Sequence, residues 1–249
     1  MKVTIITVVL NNRECIAGAI ESVLCQDYPN IEYIVIDGCS TDGSLEIIKR
    51  YEDKISKIIS EPDRGIYDAL NKGILLANGE VIGFLHADDF FSDSKVISKI
   101  VALFDANTDA VYGDLEYVQS TDTNKVFRKW RSGLYHKKSF LYGWMPPHPT
   151  FYVRSEMYKK FGLFDLQFRS AADYEIMLRF IYKHHIRLKY LPEVLVKMRI
   201  GGQSNRSIKN RIKANIEDKS AWAVNGLTPR FYTLWLKPLR KIFQFRLFF

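Results

Sequence analysis

Cysteine is scarce in this chain of 249 residues. Its three cysteines, Cys15, Cys25 and Cys39, all lie near the N-terminus and show no C-x-x-C spacing. An odd count without that spacing argues against a disulfide framework and a structural zinc site, and fits a reducing compartment. Long apolar runs are also missing. No stretch approaches the roughly 20 residues of a membrane-spanning helix. The run Val3–Leu10 behind Lys2 leads into Asn11-Asn12-Arg13-Glu14 rather than a small-residue cleavage site. The expectation is a cytoplasmic chain without a transmembrane anchor. No G-x-G-x-x-G follows that run and no G-x-x-x-x-G-K-[ST] occurs anywhere, so the dinucleotide fold and the P-loop both lack their fingerprints. Acids are nearly missing from the C-terminal part. From Lys197 to Phe249 twelve Lys/Arg face only Glu217 and Asp218, a net of +10, while the whole chain carries +8. Residues 1–196 are therefore slightly acidic, at −2.

What is present is an ordinary folded composition, 47% hydrophobic and 26% charged, which excludes wholesale disorder. Val3–Val9, Tyr33–Ile36 and Val81–Leu85 are short Val/Ile-rich runs expected as strands buried on both faces. Helical patterns lie between and after them, over about residues 13–26, 44–51 and 66–77, the last closed by Asn78-Gly79. This alternation predicts an α/β fold with a Rossmann-like, mostly parallel sheet flanked by helices. Ligands of such sheets sit beyond the carboxyl ends of the strands. There the sequence gathers polar and acidic groups: Thr7 and Asn11, then Asp37 to Asp42, then His86 to Asp89. Asp37, ending a strand, offers only acceptors to a base or ribose, while Thr41 and Asp42 also read as a turn and helix cap. Asp88-Asp89 repel each other unless solvent, donors or a cation compensate. Mg²⁺ or Mn²⁺ would do so, and a solvated turn is the alternative.

Taken together, Thr7-x-x-x-Asn11, Ile34-Val-Ile-Asp37-Gly-Cys-Ser40-Thr-Asp42-Gly-Ser44, Ser60-Glu-Pro-Asp63-Arg64-Gly65-Ile-Tyr67-Asp68 with Asn71-Lys72-Gly73, and Phe84-Leu-His-Ala-Asp88-Asp89 resemble the family 2 glycosyltransferases of GT-A fold. The likeness runs over roughly residues 1–205 and is strongest to bacterial enzymes of colanic acid, capsule and O-antigen synthesis. It implies a nucleotide-sugar-binding half, 1–113, and an acceptor and base half, 114–205; residues 206–249 are expected, from their own charge and pattern, as a basic amphipathic C-terminal helical extension. It implies that Thr7, Asn11 and Asp37 hold the nucleotide and that Asp63 and Arg64 approach base and phosphates. Asp88 takes the place of a metal-binding carboxylate, with Asp89 beside it and His86 where the family has the first acid of its D-x-D motif. A neutral His86 still offers a hydrogen bond to ribose.

Downstream, Met177, Leu178 and Ile181 recur at helical spacing and put Asp173 in a first turn, where a capping acid is the plain reading. The resemblance makes Asp173 the general base, with Ala172 in place of the family's Glu. It also suggests acceptor contacts for His148, Arg199 and Gly202. For His148 a hydrogen-bonded loop histidine, and for Gly201-Gly202 a flexible turn, are the alternatives. No histidine follows His185 to complete a metal shell. The implied partners are a UDP-, GDP- or dTDP-sugar donor and a lipid-linked saccharide acceptor; an oligomer is compatible with the sequence. Wound as a helix, Phe231–Phe249 segregates Thr233, Lys237, Arg240, Lys241 and Gln244 from Phe231, Trp235, Leu239, Ile242, Phe245 and Phe249, with Pro238 interrupting. That pattern suits an anionic membrane surface, peripheral on the inner face of the cytoplasmic membrane, or an apolar face docked on the core or on a partner subunit. No nucleic-acid recognition motif is present, and the acidic ligand edge opposes such binding. A non-catalytic nucleotide-sugar or glycan-binding module of the same fold, suggested by His86 and Ala172, is the alternative to an enzyme.

Overall fold

The computed structural model describes residues 1–201, 208–242 and 244. Strands and helices alternate as β1 (Val3–Val9), α1 (Ile16–Leu24), β2 (Ile31–Asp37), α2 (Ser44–Lys49), β3 (Lys57–Ser60), α3 (Ile66–Leu76), β4 (Val81–Phe84), β5 (Asp89–Phe91) and α4 (Val96–Ala102). Then follow β6 (Ala110–Val118), β7 (Val126–Trp130), β8 (Tyr152–Arg154) and α5 (Ser155–Phe161). The chain ends with α6 (Ala172–Met177), continued as a π-helical turn over Leu178–Lys183, β9 (Leu188–Arg199), α7 (Ile208–Val224) and α8 (Thr233–Ile242). Among the described residues no helix is long and apolar enough to cross a membrane.

The strands form one sheet in the order β3-β2-β1-β4-β8-β6-β9-β5, with β7 on β6. The expected parallel pairing holds for β3, β2, β1 and β4. Beyond β4 the sheet is mixed: β8 is antiparallel to β4 and β6, β5 is antiparallel to β9, and β6 and β9 are parallel. A parallel neighbour needs a crossover. The link from β4 to β5 is only residues 85–88, so β5 leaves the parallel array and carries Asp89 to β9.

Alternation along the buried strands sorts side chains into two cores. Ile6, Val8, Ile34 and Ile36 pack with Leu70 of α3, Tyr174 of α6 and Trp222 of α7. Ile5, Val9, Tyr33 and Val35 pack with Ile20 of α1, Ile48 of α2 and Ile97 of α4. Trp222 is fully buried, so the 206–249 segment contributes to the same core as β1 and β4.

At the end of the sheet opposite the ligand edge, Glu32 is 3% exposed. Its carboxylate accepts bonds from Thr4 Oγ1 (2.6 Å), Asn78 N (2.7 Å) and Asn78 Nδ2 (2.8 Å), with Lys2 Nζ at 3.5 Å. Burial alone would raise its pKa, but Thr4, Asn78 and Lys2 outweigh burial and hold it at about 2. A depressed carboxylate contributes stability above its unfolded pKa and loses it as pH falls through the folded one. Glu32→Gln is therefore expected to cost about 1–3 kcal/mol at pH 7. Urea midpoints should show that deficit shrinking as pH falls from about 4.5 to about 2; a deficit constant with pH would refute the account.

Candidate active site

The loops that leave β1 and β2 are stitched together at the carboxyl edge. Asn11, in the left-handed region at φ 51°, accepts from Thr41 N (2.8 Å) while its own N–H donates to Ser40 Oγ (2.8 Å). Arg13 N donates to Asp42 and Asn12 N to Ser44 Oγ, both at 2.9 Å. Asp37 is buried at the end of β2, where Ser60 Oγ donates to it at 2.6 Å and Ser40 N at 3.2 Å. Asp63 reaches the same edge: a Cβ added to Gly38 would stand 2.4 Å from its Oδ2, so position 38 admits no side chain without displacing it. Arg64 is exposed and pairs with Asp68 at 3.2 Å. Thr7 shares parity with Ile5 and Val9, faces the α1 layer, is fully buried and accepts from Tyr33 Oη at 3.0 Å.

The β4–β5 turn brings the second cluster. Asp89 N donates to His86 O at 3.0 Å, turning the chain at Asp88. Asp88 is half-buried; Asp89 is fully buried, and neither of its carboxylate oxygens has a partner. Burial pushes Asp89 well above the ordinary carboxylate range, Asp88 adds to this, and Arg199 opposes it. Arg199 lies beneath this turn: its Nη1 donates to the Asp88 carbonyl at 2.8 Å and its guanidinium stands 4.7 Å from the Phe90 ring centroid. Of the expected acceptor contacts, Arg199 thus supports the carboxylate turn, and Gly202 lies outside the described residues.

Asp173 falls in the first turn of α6, half-exposed, and accepts from Tyr67 Oη at 3.2 Å. Tyr67 stacks on Phe164 (5.5 Å), and burial, with Asp173 adding, raises its phenol well above the usual range. Glu217 of α7 accepts from Ser170 N (2.8 Å), Ser170 Oγ (3.0 Å) and Ala171 N (3.0 Å) at the entry to α6. Trp222 Nε1 donates to Tyr174 Oη at 2.9 Å, and Asn225 Nδ2 to Glu175, itself buried against Arg179. Ala172 is fully buried.

Two imidazoles lie by these clusters. His86 feels the charges of both Asp88 and Asp173, yet burial outweighs them and lowers its pKa. His148 stacks on Phe84 at 5.1 Å and lies 5.7 Å from His86. Burial, aided by His86, pushes His148 down to about 3. His86 Nδ1 and His148 Nε2 are buried without partners, so both rings hold unused hydrogen-bonding capacity. Tyr67 and Glu217 are the residues that sequence reasoning left without a role. Tyr67 stands inside the Asp63–Gly73 motif, but nothing local marks its bond to Asp173.

An α/β fold with acidic turns at the sheet's carboxyl edge and an acid on a facing helix defines a class, and the comparisons identify it. The profile described as "Glycosyl transferase family 2" matches residues 4–164. An uncharacterized glycosyltransferase of Mycobacterium tuberculosis is 32% identical over 182 residues, covering 71% of this chain and 68% of that one. Among solved structures, S. aureus TarS 1–349 in complex with UDP-GlcNAc superposes with a TM-score of 0.71 at 18% identity, over 95% of this chain and 69% of that one. The mannosyltransferase PcManGT of Pyrobaculum calidifontis, in complex with GDP-Man and Mn²⁺, gives 0.67 at 19% identity, over 95% and 72%. The chain belongs to the family 2 glycosyltransferases, and it is an enzyme of that class with the GT-A fold.

Proposed function

We propose that this enzyme moves a sugar from a UDP-, GDP- or dTDP-linked donor to a hydroxyl of a lipid-linked saccharide, in a single inverting displacement, during synthesis of a bacterial surface polysaccharide such as capsule, O-antigen or colanic acid. The observation that carries the reading is the Asp88-Asp89 turn closed by His86 after β4, together with Asp173 in the first turn of α6, held by Tyr67 at 3.2 Å. The ligands of the neighbouring structures, UDP-GlcNAc and GDP-Man, support a nucleotide-sugar donor.

In this reading Asp37, Asn11 and Asp63 bound the nucleotide edge and Arg64 meets the phosphates. Asp173, held by Tyr67, takes the proton of the acceptor hydroxyl as it attacks the anomeric carbon from the face opposite the leaving diphosphate. Half-buried His86 offers a hydrogen bond to a sugar or ribose hydroxyl, and His148 backs it, stacked on Phe84. The orphaned Asp89 beside half-exposed Asp88 fits a divalent cation, for a buried carboxylate without a partner is costly unless charge compensates it. Among the described residues no group of three His, Cys, Asp or Glu could hold an ion, so Asp88 with Asp89 would hold Mg²⁺ or Mn²⁺ in a shell completed by donor oxygens. Such a cation, when bound, neutralises the leaving diphosphate.

A thermal-shift screen of UDP-, GDP- and dTDP-sugars with Mn²⁺ tests the reading. One nucleotide class at a hundred times its Kd is expected to add about 2.7 kcal/mol, or roughly 5–10 °C for a chain of this size. No shift from any donor, with the protein folded, would sink it.

A further inference from the structure

Helix α8 rests on the body by its polar side. Thr233 is fully buried and its hydroxyl donates to the Leu141 carbonyl at 2.7 Å. The Lys237 ammonium lies 2.6 Å from Asp218 and 3.6 Å above the Tyr174 ring centroid. The backbone itself is seated closely: Gly143 adopts φ 73°, and a Cβ there would stand 2.4 Å from Lys237 N.

The apolar side is turned outward. Trp235 is 73% and Leu239 48% exposed, four residues apart along α8, and Phe231, two residues before the helix, is 91% exposed. Tyr142, 46% exposed, continues this surface through its 5.7 Å stack on Tyr232. A helix that merely covers a core shows the reverse orientation, and a contiguous exposed apolar row marks an interaction site. Charge selects the occupant. Residues 219–249 hold six Lys/Arg and no acidic residue, and exposed Arg230 and Arg240 lie next in sequence to Phe231 and Leu239. Aromatic and aliphatic residues among cations, with no acid, complement an anionic lipid surface rather than a neutral protein groove.

We propose that the outward face of α8 docks on an anionic bilayer, with Phe231, Trp235 and Leu239 at the headgroup boundary and Arg230 and Arg240 against lipid phosphates. This deepens the lipid-linked acceptor reading, and its purpose rests on that reading. The docked helix touches Tyr174, the neighbour of Asp173, so the base end of the site is brought to the surface from which a lipid-borne sugar is presented.

The test is co-sedimentation of the full chain with vesicles of phosphatidylcholine containing 30% phosphatidylglycerol, as against phosphatidylcholine alone. Wild-type protein is expected to partition at least tenfold more strongly onto the anionic vesicles, with Trp235 emission shifting to the blue. The variant Phe231→Ser/Trp235→Ser/Leu239→Ser changes only exposed side chains, so it should keep the wild-type melting temperature and lose at least tenfold in partitioning. Arg230→Gln/Arg240→Gln should lose several-fold on anionic vesicles alone. Wild-type protein left in the supernatant, equal binding to both lipids, or undiminished binding of the triple variant overturns the proposal. So does a light-scattering mass that falls from dimer to monomer in the triple variant, which would assign the face to a second copy. Donor-induced thermal shift in the same samples separates the two readings, since it does not depend on vesicles.

Discussion

Asp173→Asn is expected to lower kcat by about a thousandfold, near 4 kcal/mol of transition-state stabilisation, while the donor-induced thermal shift stays at its wild-type value. Asn preserves the shape of the side chain and an oxygen to accept from Tyr67 Oη, the 3.2 Å bond seen for Asp173. Glu217, Trp222 and Asn225 still hold α6 and its entry through Ser170, Tyr174 and Glu175, so the melting temperature should not move. What Asn cannot do is take a proton. Tyr67→Phe provides the graded comparison: the carboxylate remains but loses its positioning bond, and a loss of about tenfold in kcat follows from a base whose orientation has loosened. Single-turnover transfer at saturating donor measures both. Full activity in Asp173→Asn removes Asp173 as the base, and equal losses in both variants would make Asp173 a structural rather than a proton-accepting group.

The second large effect concerns the carboxylate turn. Asp88→Ala is expected to abolish the part of the donor-induced thermal shift that depends on Mn²⁺, leaving only the shift seen in chelator. For donor at a hundred times its Kd, that means forfeiting most of about 2.7 kcal/mol. The backbone of the turn should survive, because Arg199 is bonded to the Asp88 carbonyl and not to its carboxylate. Titration of donor with and without Mn²⁺ reads this directly. An undiminished metal-dependent shift would move the cation away from Asp88.

Local pattern carried the reading furthest where an element's identity depends on its own residues. Val3–Val9 forms β1 over the residues its apolar run suggests, α3 stops one residue short of Ala77, and Asp173 sits in the first helical turn. Parity along β1 also carries a signal, for Thr7 shares a face with Ile5 and Val9 and is bonded by Tyr33. The parts that stayed hidden depend on distant partners. Tyr67 meets Asp173 across 106 residues, Arg199 meets Asp88 across 111, and Ser170 meets Glu217 across 47. The mixed half of the sheet was illegible for the same reason, since β6, β8 and β9 are defined by whom they pair with. Amphipathicity of the last segment was visible, but which side would face the protein was not. Thr233 and Lys237 turn inward because Leu141, Asp218 and Tyr174 await them, and no periodicity records that.

The seat of Lys237 between Asp218 and Tyr174 bears on how the gene can be cut. A chain shortened before Thr233 would take the ammonium from a carboxylate only 5% exposed in a protein built around it, and would uncover the backbone of Gly143. Such a truncation injures the helix that carries Asp173 along with the lipid-facing row, so tail and catalytic body are inherited as one unit and can be separated only by point changes on the outer face.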